Sequence, residues 1–237
     1  MQYRPSPTIL FLACLLLGIG AAAWYGLHRH PSNPPLPSSS TPLSVLIMGD
    51  SLAAGVGASD QAHQLAPQLK LALQSRYPHV QVSTLGVSGA KALDVVAAQL
   101  PLVSNAHPDV VILIVGGNDI IQETSTESFS QDMHTLISQL GTSTHPLVMV
   151  NIGKLGATLV IPSGLEHLAN YRTKQFNAVI TNEVSKNPYT TVADFYSLSS
   201  EQLASHQPVL SDDAFHPNDL GYQRLAELIA ASVRVAP

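Results

Sequence analysis

Cysteine is nearly absent from this chain of 237 residues. The one cysteine, Cys14, sits inside an N-terminal apolar run, so no disulfide staples the rest. Charge is also scarce, at 11% of residues against 45% hydrophobic ones. Such a composition buries a core rather than staying disordered. Basic residues are the scarcer sign, 11 against 16 acids, for a formal net charge of −5. Arg4 and Arg29, and no acid, precede Ser44, so the remainder is more anionic still. An anionic globule repels polyanions, which argues against nucleic acid as a partner. The histidines are scattered with no H-E-x-x-H pair, so no metal site is expected.

What the N-terminus does have is an uncharged stretch from Thr8 to Leu27, about the length that crosses a bilayer as a helix. Ala21, Ala22 and Ala23 supply the small residues a signal peptidase accepts, whereas Trp24 and Tyr25 suit the membrane interface of an anchor. Residues 1–30 therefore read as a signal peptide or a single-span membrane anchor. Residues 31–43, with five prolines and four serines, read as an extended linker. Both readings export residues 44–237 across the cytoplasmic membrane, as a membrane-anchored or a periplasmic or extracellular domain.

From Ser44 onward, short apolar runs alternate with helical patterns. Strands are expected over 45–48, 80–85, 110–115, 147–152 and 191–195. Helices are expected from Pro67 to Pro78, from Lys91 until Pro101 stops the chain, from a Thr124/Glu127 capping box to Gly141, over 165–184, and from Asn218 onward. This alternation indicates an α/β fold with a mainly parallel sheet of five strands and helices on both faces. Ligands of such folds bind beyond the carboxyl ends of the strands.

Four polar clusters fall at that edge: Gly49-Asp50-Ser51-Leu52, Gly86-Val87-Ser88-Gly89, Gly116-Gly117-Asn118-Asp119 and Asp213-Ala214-Phe215-His216. They contain what nucleophilic catalysis needs. Ser51 is a hydroxyl where a strand turns into a helix. His216 can take its proton, since an unperturbed imidazole titrates near neutrality. Asp213, three residues earlier, can accept from the other ring nitrogen and fix the tautomer; the adjacent Asp212 is the less suitable spacing. The backbone N–H groups of Ser51 and Gly86 and the amide of Asn118 can serve as oxyanion donors. Gly86 carries no side chain to block the approach. Asp50 and Asp119 read as structural acceptors. The connection over 153–164, with Leu159 and Ile161, is expected either to border an acyl pocket or to form a local hydrophobic plug on the core.

In these blocks the chain resembles the SGNH/GDSL hydrolases, through Ser51, Gly86, Asn118 and His216 and the Gly49–Leu52 motif, over about Val45 to Val233. Many relatives carry a threonine shortly after the second block, where this chain has Lys91 and Ala92. The resemblance implies a flavodoxin-like three-layer α/β/α sandwich and hydrolysis of esters or thioesters through an acyl-enzyme, without a cofactor. Acyl esters, lysophospholipids and acetylated glycans all fit as substrates. An acyl or acetyl transferase with the same triad, and a non-enzymatic binding module, are the alternatives.

Overall fold

The computed structural model describes residues 42–155, 158, 161–205 and 208–235. The expected signal peptide or anchor, and all but the last two residues of the linker, lie outside the described residues. No helix among the described residues is long and apolar enough to cross a membrane.

Five strands form one sheet: β1 (Leu43–Gly49), β2 (Val80–Thr84), β3 (Val110–Ile114), β4 (Leu147–Val150) and β5 (Thr190–Ala193). Their order is β2-β1-β3-β4-β5 and every pairing is parallel. This is the doubly wound, flavodoxin-like order, and the strand order reverses between β1 and β3. The linker is one residue shorter than expected. Leu43 already pairs with Val80, and its N–H donates to the His79 carbonyl.

Helices cover both faces, which is why the central strands read as continuous apolar runs. Val45 and Ile47 of β1 face α2 (Leu65–Gln74) and the last helix; Leu46 and Met48 face the opposite layer. In that layer α6 (Thr126–Leu140) packs on α7 (Glu166–Ser185), with the rings of Phe129 and Phe176 4.4 Å apart. Both phenylalanines are fully buried, and truncating either to alanine in a close-packed core costs about 3–5 kcal/mol.

Several boundaries differ from those expected. The helix expected to stop at Pro101 continues. Ala92–Asp94 (α3), a π-helical turn Val95–Gln99, a 3₁₀ turn Leu100–Leu102 and Val103–Ala106 (α4) follow without a break. Pro101 enters the first turn of the 3₁₀ segment, where its missing N–H is not needed. The cap of α6 is Ser125, not Thr124: its Oγ accepts from Ser128 N, while Thr124 N donates to the Asp119 carbonyl. Phe195 ends no strand. It opens α8 (Phe195–Ala204), whose N-cap Asp194 accepts from Ser197 N. The remaining elements are α1 (Ser51–Ala54), a 3₁₀ turn Gln61–His63, α5 (Gly117–Ile121) and α9 (Asp219–Ser232).

Candidate active site

The carboxyl ends of β1 and β3 hold the first two clusters. Gly49 has φ +138°, and a Cβ there would collide with the Ile114 carbonyl of β3. Only glycine lets the chain leave β1 this close to its neighbour. Gln99, buried in the π-helical turn, locks the position. Its Oε1 accepts from Gly49 N and its Nε2 donates to Gly49 O, each at 2.8 Å. Asp50 then caps α1 by accepting from Leu52 N at 3.0 Å. Ser51 follows as the first helical residue, 6% exposed. A first-turn N–H has no acceptor within its own helix, so the Ser51 N–H remains for a ligand.

His216 comes from the other side. Ser211 N donates to the His216 carbonyl at 2.8 Å, and Asn218 N to the Val209 carbonyl at 2.9 Å, closing a tight loop. Ala214 turns that loop at φ 52°, a region that residues other than glycine adopt uncommonly. Asp213 Oδ1 accepts from Ser211 Oγ, Phe215 N and His216 N, at 2.8, 2.9 and 2.9 Å. Its Oδ2 lies 2.6 Å from His216 Nδ1, and His216 Nε2 lies 2.9 Å from Ser51 Oγ. Both distances are within reach for proton transfer. Burial works against the charge on Asp213, but the bonds from His216, Ser211 and Phe215 outweigh it and hold the carboxyl well below the usual range. Asp212 is exposed and takes no part.

Two further residues seat these loops against each other. Gly57, at φ +96°, passes beneath the His216 loop, where a Cβ would lie 2.6 Å from Pro217 O and 2.8 Å from His216 Cβ. Tyr222 of α9 donates to the Val56 carbonyl at 2.6 Å; burial pushes its hydroxyl pKa up, so it stays a neutral donor.

The oxyanion donors are placed unequally. Asn118 Nδ2 spends one hydrogen on the Ala90 carbonyl at 3.1 Å and keeps its second. Gly86 is placed differently from the other two donors. Its N–H already donates to Thr84 Oγ1 at 3.0 Å, and Gly86 does not line the cavity at Ser51. The space that a side chain would fill there belongs to the α1 backbone at Ala53 and Ala54, not to a substrate. Glycine at 86 thus lets β2 approach the helix that carries Ser51. The departure at Lys91 and Ala92 is compensated. Asp94 accepts from Lys91 N at 2.9 Å and Asp119 from Ala92 N at 3.0 Å, so two carboxylates cap α3 where no hydroxyl residue stands.

Asp50 is 4% exposed, and desolvation pushes its carboxyl up to about 7, with nearby Asp119 adding to the rise. A carboxyl whose folded pKa is raised stabilises the fold below its unfolded pKa, and that contribution fades as pH rises through the folded value. Stability is therefore expected to fall between about pH 4 and pH 7. Asp50→Asn keeps the cap acceptor and removes the titration. It is expected to flatten this slope and stabilise the domain at pH 8 by up to about 4 kcal/mol. Urea melts across this range check it, and an unchanged slope would contradict it.

A cavity opens beside Ser51 and His216. Ile114, Val150, Ile152, Phe195, Leu203 and Phe215 make its walls mostly apolar. Of the 153–164 connection, Gly153, Lys154, Leu155 and Thr158 line it. Ile161 does not, and Leu159 lies outside the described residues. The contribution of α8 was not expected from the sequence, since its serines mask the helical pattern; Asp194 as N-cap was the available signal. Among the described residues no group of histidine, cysteine and carboxylate side chains could hold a metal ion.

Comparison with known proteins bears on this arrangement. Residues 47–224 match the model of the GDSL-like Lipase/Acylhydrolase family. No curated protein matches the sequence. Among solved structures, the α/β hydrolase LAE5 from the metagenome of Lake Arreo is 19% identical, with a TM-score of 0.66, over 81% of this chain and 95% of that one. The acetylxylan esterase Axe2 of Geobacillus stearothermophilus is 18% identical, with a TM-score of 0.65, over 79% and 92%. The esterase EstA of Pseudoalteromonas sp. is 16% identical, with a TM-score of 0.62, over 80% and 96%. These three share the fold.

Proposed function

Because this chain belongs to the GDSL-like lipase/acylhydrolase family, and is on that ground a carboxylic ester hydrolase, we propose that it acts through an acyl-enzyme on Ser51. The observation that carries the reading is the unbroken chain from Ser51 Oγ through His216 to Asp213, at 2.9 and 2.6 Å. Ser51 Oγ bonds to the ester carbonyl carbon while its proton passes to His216 Nε2. The carbonyl electron pair moves onto oxygen, where Ser51 N–H and Asn118 Nδ2 donate to it. When that intermediate collapses, the bond to the alcohol oxygen breaks, and this oxygen takes the proton from His216. Water then repeats the sequence on the acyl-enzyme, releasing the acid and restoring Ser51. Asp213 holds the ring in the acting tautomer and stabilises its cationic form.

The substrate class we propose is a short acyl ester of a soluble alcohol or an acetylated glycan, with a lysophospholipid as the long-chain alternative. The apolar cavity at Ser51 supports it, as do fold neighbours named as acetylxylan esterases. Export is part of the same proposal, supported by the uncharged run from Thr8 to Leu27; a cytoplasmic location of the full chain on cell fractionation would contradict it.

The test is steady-state hydrolysis of p-nitrophenyl esters from acetate to palmitate by the full chain and its Asn118→Ala variant. Turnover is expected to favour short chains. Asn118→Ala is expected to lower kcat about 100- to 1000-fold with a smaller change in KM, because the donor acts on charge that develops in the transition state. A folded protein that turns over none of these esters would overturn the reading.

A further inference from the structure

Among the polar residues that line the cavity away from the triad, most are already engaged. Asn151 donates to Asp194 and accepts from Tyr196 N, each at 2.8 Å. Ser199 Oγ accepts from Lys154 N and donates to the Tyr196 carbonyl. Thr158 Oγ1 donates to the Leu155 carbonyl. Gln202 differs. It lines the same cavity from α8, is 7% exposed, and its Nε2 is shielded from solvent without a hydrogen-bond partner. A buried amide left unpaired destabilises the fold, so such groups in native proteins call for an explanation. Phe195, Leu203 and Val209 belong to the same lining.

We infer that this cavity takes an acyl chain bearing an oxygen acceptor beyond the scissile carbonyl, and that Gln202 donates to that oxygen as a specificity-determining residue. The inference rests on the hydrolase reading above. The acyl part is the one assigned to the cavity because it stays bonded to Ser51 after the alcohol leaves. A leaving alcohol needs a path to solvent; a retained acyl chain does not. A plain alkyl chain leaves the Gln202 amide unpaired, whereas an oxo, hydroxyl or carboxylate oxygen pairs it. Lys154 also lines this cavity and carries the cation that a carboxylate on the acyl chain would attract.

The experiment compares kcat/KM of the full chain for p-nitrophenyl pentanoate, 4-oxopentanoate and hydrogen succinate, beside Gln202→Met and Gln202→Leu. The parent is expected to prefer the 4-oxo ester over pentanoate by about tenfold, the worth of one good hydrogen bond, and the methionine variant by a ratio near one. A further preference for the succinate ester, lost in Lys154→Met, identifies the acceptor as anionic; its absence identifies a neutral one. Gln202→Met is also expected to melt no lower than the parent, since it removes an unpaired amide. A parent ratio near one, or a ratio unchanged by Gln202→Met, overturns the inference. So does a variant that melts lower and slows both esters equally, which assigns Gln202 a structural role alone. Turnover of no ester counts against the hydrolase reading instead. In that case calorimetry of free pentanoate and 4-oxopentanoate with Ser51→Ala decides the inference separately, equal affinities overturning it.

Discussion

Replacing Ser51 with alanine is expected to lower ester hydrolysis by about a million-fold in kcat while leaving the melting temperature close to that of the parent. The size follows from the role. Without Oγ there is no acyl-enzyme, and water must attack directly with only the oxyanion donors and binding to assist it. The fold should be indifferent because the structure assigns the hydroxyl no bond except that to His216 Nε2, while the turn that carries it is held by Gly49, Gln99 and Asp50. His216→Ala should be nearly as severe, and the double variant hardly worse than either single one, since the two residues act as a unit. Kinetics on p-nitrophenyl acetate with matched thermal melts would check both statements. Residual activity within tenfold of the parent would remove Ser51 from the mechanism.

The second large effect is at Asp213. Asp213→Asn is expected to lower kcat by up to about 10,000-fold. The loop should survive, because an amide oxygen can still accept from Ser211, Phe215 and His216 N as Oδ1 does now. What changes is the atom facing His216 Nδ1. An amide N–H₂ there makes Nδ1 the acceptor and puts the ring proton on Nε2, which can then no longer take the proton of Ser51. Asp213→Ala removes the turn bonds as well and should lose stability in addition. Wild-type activity in Asp213→Asn would make the carboxylate a turn-former only. Asp212 makes none of these bonds; all four go to Asp213.

How much of this was legible beforehand depended on the range of the interactions involved. The strands were readable because a parallel sheet covered on both faces needs unbroken apolar runs, as 110–114 shows. Ser51, Asn118, Asp213 and His216 were readable because each lies in a short motif at a strand end, and the order of the motifs placed them at one edge. The partners that hold them were not. Gln99 acts through an amide fifty residues from Gly49, and its only signal was a polar residue four positions after Val95 on an apolar helical face. Gly57 carried no signal and Gly86 read as an oxyanion donor, because the atoms that crowd them come from distant parts of the chain. Gly86 illustrates the cost of that blindness: its bare Cα suggested room for a substrate, but the room is filled by α1. Pro101 misled in the opposite sense, since local rules make proline a stop, and a π-helical turn upstream let the chain absorb it. The cavity wall from α8 was hidden by a helix rich in serine, whose start is fixed by the Asp194 cap.

The central claim is that Ser51 is the nucleophile. Incubating the full chain with a fluorophosphonate and mapping the adduct by peptide mass spectrometry tests it most directly, because the reagent bonds only to a serine whose proton a neighbouring base removes. The account predicts one adduct, on Ser51, abolished in Ser51→Ala and strongly slowed in His216→Ala. An adduct on another residue, or ester turnover that persists while Ser51 stays unmodified, would contradict it.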